Sequence, residues 1–270
     1  MEGRDEIDQE KYYQRISREE SLLVESIEQQ YQRCCDIYCN ALLRNIKASL
    51  PDPESDEHCV NFSLGIHFGK SIHMKLPKNL KFLKFFNVDK VILKIDKCQT
   101  KHALNFIDFS FPDKTNVLYI SLTGKMKLSC GIYFNSLARI SSKVTQSVTL
   151  QWFCLNLHQL KRFVAAYKHV ERLEVKSCKL SIPKVPDFSK ALQNCKVQII
   201  DLWRTGDYSY SNWRDHLDEF KNLVQGFSTS PDLKLSLREV CIWNCGIKEN
   251  EAEDIFAENQ LEGVKLMDGS

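Results

Sequence analysis

The chain has no run of about 18 consecutive apolar residues, the length a bilayer crossing requires. Its longest uncharged stretch, Val144 to Leu160, is broken by Thr, Gln, Ser, Asn and His, so no membrane association is expected. Glycine and proline are scarce, at 10 and 7 residues, which excludes collagen-like and low-complexity chains. The opening MEGRDEIDQE is acidic and lacks an apolar core. Neither a secretory signal nor an Arg-rich transit peptide is expected there, and the expected address is cytoplasmic, cytoskeletal or nuclear. Eleven cysteines contain no CxxC, and the odd count suits reduced thiols better than a disulfide framework. Cys34, Cys35 and Cys39 could converge only if their helix broke, because neighbours on a helix point about 100° apart, so no metal site is expected.

Catalytic motifs are missing as well. GxSxG, HExxH, a Walker loop and a Gly-rich phosphate cradle do not occur, and each supplies a geometry that its chemistry needs. His67 and His73 flank Gly69 with no carboxylate or cysteine beside them in sequence, and His158 and His169 bracket an apolar helical stretch. The expectation is a non-enzymatic protein without cofactor.

What is present is a globular composition, 43% hydrophobic and 27% charged over 270 residues, enough to bury a large core without disulfides or metal. The net charge of +2 conceals a pattern. Residues 1–60 hold 7 basic and 14 acidic side chains, 61–130 hold 12 and 4, 131–199 hold 11 and 3, and 200–270 hold 7 and 14. A basic centre between acidic ends steers an acidic partner.

Residues 5–50 read as one long amphipathic helix. Tyr12, Ile16, Leu23, Ile27, Tyr31, Cys34, Tyr38, Leu42 and Ile46 recur on one stripe, and no Gly or Pro interrupts them. Such a length suits a coiled coil, an assembly arm or a cap on the rest of the chain. Pro51 and Pro53 end it, and 51–79 reads as an acidic linker followed by the alternation Val60, Phe62, Leu64, Ile66, Phe68, which predicts a strand or cap.

From about 80 to 270 the signal is repetition. VERLEVKSCKL, Val170 to Leu180, and LREVCIWNCGI, Leu237 to Ile247, both follow L-x-x-L-x-L-x-x-C-x-L. This resembles the leucine-rich repeat, in particular the cysteine-bearing ribonuclease-inhibitor-like type. Weaker copies place the fourth position at 93, 120, 150, 173, 200, 240 and 264, intervals of 27, 30, 23, 27, 40 and 24, with an insertion in the longest. Helices are expected at 132–140, 157–167, 188–195, 213–227 and 250–258. The resemblance implies an α/β solenoid of about seven irregular repeats, a curved parallel sheet with outer helices, preceded by the long N-terminal helix.

In that frame the fourth and sixth positions face inward, and the third, fifth and seventh project from the concave sheet. The projecting set includes Ile92, Lys94 and Asp96; Tyr119, Ser121 and Thr123; Thr149, Gln151 and Phe153; Arg172, Glu174 and Lys176; Ile199, Asp201 and Trp203; Glu239, Cys241 and Trp243; and Gly263, Lys265 and Met267. Of these, Tyr119, Phe153, Arg172, Glu174, Lys176, Asp201, Trp203 and Trp243 are the candidate partner-binding residues, because aromatics ringed by charge dominate interface energetics. Trp152 falls at an inward position and is expected in the core. Proteins of this family are mostly recognition scaffolds, so the resemblance implies an adaptor that binds a protein partner, possibly as a subunit of a large assembly. The alternative is a nucleic acid or acidic partner on the basic region 61–199, where Lys70, Lys75, Lys78, Lys81 and Lys84 accompany Phe82, Phe85 and Phe86.

Overall fold

The computed structural model describes residues 59–68, 87–96, 100–123, 131–203, 217–261 and 263–269. The expected helix over 5–50, the Lys70 to Phe86 cluster and the 204–216 insertion lie outside them. The fold is mixed α/β. Its main sheet has eight strands: β1 (Cys59–Phe68), β2 (Asn87–Asp96), β3 (Lys114–Thr123), β4 (Val144–Gln151), β6 (Arg172–Lys176), β8 (Ile199–Trp203), β9 (Glu239–Trp243) and β10 (Lys265–Gly269). They are hydrogen-bonded in chain order, and every pairing is parallel. Two short strands, β5 (Cys154–Asn156) and β7 (Lys179–Ser181), pair in a second sheet with Leu155 opposite Leu180. The alternation expected near residue 60 forms β1 and joins the same sheet as β2, so a boundary at 80 does not separate it from the remainder.

Sequential parallel strands need crossovers, and helices supply them. These are α1 (Thr100–Phe109), α2 (Gly131–Ile140), α3 (Leu157–Tyr167), α4 (Leu217–Ser228), α5 (Pro231–Ser236) and α6 (Glu249–Glu258). Neighbouring helices pack side by side. Helix α3 begins with a capping box: Gln159 N donates to Asn156 Oδ1 at 2.9 Å, and Asn156 N donates to Gln159 Oε1 at 3.0 Å, satisfying two amides the helix itself leaves unpaired. Two helices, α1 and α5, have no counterpart in the expected set. Helix α5 starts on Ser230, whose Oγ accepts from Leu233 N at 3.3 Å, with Pro231 in its first turn. Conversely, 188–195 holds hydrogen-bonded turns and no α-helix. There Asp187 Oδ1 takes both Ser189 N at 3.0 Å and Ser189 Oγ at 2.6 Å, a local turn that competes with helix propagation.

The core is built from rows that cross the strands. One row runs Leu64, Val91, Leu118, Val148, Leu173, Ile200, Val240 and Leu266, each opposite the next in the parallel register. A second runs Leu93, Ile120, Leu150, Val175, Leu202 and Ile242. Except for Leu266, these side chains are buried. The first row is spaced by 27, 27, 30, 25, 27, 40 and 26 residues. It corrects the expected frame by two residues in β2, β3, β4 and β10, where 93, 120, 150 and 264 stand in place of Val91, Leu118, Val148 and Leu266. The physical reason is that β2 and β3 are ten residues long and each carries three buried residues at alternate positions, Val91, Leu93 and Ile95 or Leu118, Ile120 and Leu122, so such a triplet admits two frames.

Where strands are short, a turn recurs. Trp152, Ser177 and Asn244 each follow the end of a strand with φ of 64°, 50° and 52°. The left-handed residue swings the next side chain, Phe153, Cys178 or Cys245, back into the core, where all three are buried. The two thiols donate to carbonyls of the preceding strand, Cys178 Sγ to Leu150 O at 3.4 Å and Cys245 Sγ to Leu202 O at 3.0 Å.

Close packing is tested at Gly226 in α4. A Cβ there would sit 2.3 Å from Pro186 Cγ and 3.0 Å from Pro186 O, and a proline ring with its backbone cannot step aside. Gly226→Ala is therefore expected to lower unfolding free energy by about 1–3 kcal/mol despite alanine's better helix propensity. Urea denaturation checks this, and a stabilised variant would show the contact to be yielding.

Candidate functional site

The inward rows leave the alternate residues on the other face of the sheet. Its central row runs Ile92, Tyr119, Thr149, Glu174, Asp201, Cys241 and Met267, and a flanking row runs Lys94, Ser121, Gln151, Lys176, Trp203, Trp243 and Gly269. Parallel neighbours in such rows are about 4.8 Å apart, so residues from four different strands meet around Glu174 and Asp201.

Glu174 is the hub. Lys176 Nζ lies 2.8 Å from Glu174 Oε2, Arg172 Nη1 lies 3.7 Å from Glu174 Oε1, and Thr149 Oγ1 donates to Glu174 Oε2 at 2.8 Å. Burial alone would raise the Glu174 pKa, but the bonds from Lys176 and Thr149 and the two positive charges outweigh it and hold the carboxyl below its ordinary value. Lys176 also places its ammonium 5.3 Å from the centre of the Trp203 ring, a cation–π contact. One row further, the Tyr119 hydroxyl donates to Gln151 Oε1, and burial raises the Tyr119 pKa.

Asp201 sits beside this hub under different conditions. It is 8% exposed, and its Oδ1 is buried without a hydrogen-bond partner among the described residues. Desolvation, reinforced by the Glu174 charge, raises its pKa, and the positive charges of Lys176 and Arg172 offset this only in part. On its other side the Cys241 thiol donates to Glu239 Oε1 at 3.1 Å and is pushed up to about 12 by burial and by the neighbouring acids.

The expected partner-binding residues divide cleanly. Tyr119, Arg172, Glu174, Lys176, Asp201, Trp203 and Trp243 lie on this face, and Trp203 and Trp243 are register partners. Trp203 is 44% exposed and Trp243 is half-buried. Phe153 does not belong to the site: it is fully buried, edge-on to Tyr133 and Phe134 at ring separations of 6.0 and 6.4 Å. The turn at Trp152 is the cause, since it reverses which of the two residues faces inward. Trp152, expected in the core, is 41% exposed for the same reason. Expected in the same set, Gly263 precedes β10, and Lys265 and Met267 stand two residues earlier in the register than anticipated. Thr149, Gln151 and Cys241, expected on the projecting face but not among the binding candidates, join the site through their register partners Glu174, Lys176 and Asp201.

His169 is structural, with Nε2 2.9 Å from Val144 O and its ring stacked on Tyr167. No cluster of three or more His, Cys, Asp or Glu side chains suited to a metal occurs among the described residues, and no helix among them is long and apolar enough to cross a membrane. The fold and site thus define an α/β protein whose parallel sheet carries an aromatic and charged face. Compared with family models, curated proteins and solved structures, the chain matches none.

The hub has a measurable consequence. Glu174→Gln leaves two cations without their counter-ion, and unfolding free energy at neutral pH is expected to fall by about 1–2 kcal/mol. Because the folded carboxyl titrates below its ordinary 4.5, its contribution is present above that value and is lost as pH falls through the folded value. Urea curves for the two proteins should converge in strong acid, and a gap unchanged by pH contradicts the ion-pair account.

Proposed function

We propose that the chain is a leucine-rich-repeat protein of the cysteine-bearing type that acts as a non-enzymatic interaction scaffold, taking a protein partner on the face that carries Trp203 and Trp243. Supporting the repeat reading are the strict chain order of the parallel strands, the helices between them and the left-handed turn that turns Cys178 and Cys245 inward. The observation that carries the functional reading is the exposed Trp203, in register with a second tryptophan and neighboured by Lys176 and Asp201. Exposed aromatics in a charged rim suit a binding hot spot.

A protein partner is favoured over nucleic acid by the local charges. Lys176 and Arg172 are engaged by Glu174, and the Asp201 carboxylate, two residues along β8 from Trp203, would repel phosphate. Residues 5–50 would serve as the arm that joins the scaffold to a larger assembly.

Trp203→Ala is expected to weaken binding of the partner recovered from native cells by about 2 kcal/mol or more, with the melting temperature unchanged. Titration of the purified pair and a thermal melt read the two effects. A lowered melting temperature at full affinity would make Trp203 a packing residue and end the proposal.

A further inference from the structure

Within the protein-binding reading above, on which this inference rests, we propose that Asp201 receives an arginine side chain of the partner, the guanidinium seated on the carboxylate and the stem laid along Trp203 and Trp243. A carboxylate oxygen buried without a partner is costly, because the hydration lost on burial is not replaced. Asp201 Oδ1 is in that position among the described residues, in a residue 8% exposed. It stands on an interior strand, on the sheet face that also bears the exposed indole two residues along β8.

The groups facing Asp201 say what is absent. From β6 come Glu174, Lys176 and Arg172, and both cations are drawn to Glu174, at 2.8 and 3.7 Å. From β9 come Glu239 and Cys241, the thiol already bonded to the Glu239 carboxylate at 3.1 Å. Acids therefore flank Asp201 on both sides, and the positive charges of β6 bond to its neighbour. A cation from outside is the complement. A divalent metal is the poorer fit, since no group of three or more suitable ligands occurs among the described residues and hard cations take six or more oxygens. Between lysine and arginine, the adjoining tryptophans select arginine, whose weakly hydrated planar fork stacks on indoles and binds carboxylates in two parallel bonds. Only the ionised Asp201 carboxylate pairs with a guanidinium, so arginine binding strengthens as pH rises through its titration, which burial shifts upward.

The test titrates the full chain with N-acetyl-arginine methylamide and follows the indole N–H resonances of Trp203 and Trp243 by NMR. Saturable shifts are expected with the arginine probe, none with the uncharged citrulline analogue, and at least about tenfold weaker binding in Asp201→Asn. The asparagine is isosteric, and a melting temperature equal to or above that of the parent shows the fold intact; Asp201→Ser gives the same loss through a second variant. Unchanged affinity in both variants overturns the inference, as does an equal response to citrulline or a response to calcium alone. Should Trp203→Ala lose the native partner while Asp201→Asn keeps it at full affinity, the arginine site fails and the binding face stands; if neither variant loses it, both fall.

Discussion

The structure depends on one constraint: each interior strand of the main sheet offers two inward aliphatic side chains that it cannot bury alone. A β5–β7 pair or a five-residue strand such as β6 has no stability of its own in water. Only when Val148, Leu173, Ile200 and Val240 stand opposite one another in register does a continuous apolar row close. Burial of such a side chain contributes on the order of 1.5–3 kcal/mol, so a register slip by one residue, which would turn the whole row outward, is strongly opposed. The parallel order and the crossover helices follow from that requirement.

The cysteines follow from it too. Where a strand ends after five residues, the turn that follows passes beside a carbonyl of the preceding strand. A left-handed residue at Ser177 or Asn244 brings the next side chain under that carbonyl. A thiol is small and apolar enough to sit in the core yet still donates weakly, which suits Cys178 under Leu150 and Cys245 under Leu202. At the equivalent point after β4, Phe153 fills the space with its ring, and its own amide donates to Cys178 Sγ at 3.3 Å. Longer strands such as β2 and β3 continue the alternation to Ile95 and Leu122, both buried.

This explains what was legible in the sequence. Helices α2, α3 and α6 carry clean helical stripes between strands and were expected within a residue or so of where they lie. The α1 stretch, TKHALNFIDF, buries Ala103, Phe106 and Ile107 on one stripe yet has no counterpart in the expected set, and α5 is a six-residue piece whose Ser-Pro start is its main signal. Face assignment survived a two-residue error in frame, since two is the period of a strand. The error became visible only where the strand stopped: at Phe153 and Trp152, a left-handed turn exchanged inside for outside, and no apolar count anticipates a positive φ at a tryptophan. Ion-pair and cation–π geometry around Glu174 was not readable at all, because it depends on which columns the strands align.

The inward rows also separate what the fold needs from what it tolerates. Nothing in the packing of Ile200 and Leu202 asks for an acid between them, and aspartate is among the poorest strand formers. A buried carboxylate on an interior strand sets local preference against the global structure, and such conflicts concentrate where a chain is shaped for a task other than folding. Trp203 points the same way from the opposite property: a large indole that the core could use is left 44% exposed, two residues along the same strand. A polar group hidden and an aromatic displayed, side by side on one face, are each unfavourable for an isolated domain. Both become favourable when a second surface supplies the missing charge and covers the ring.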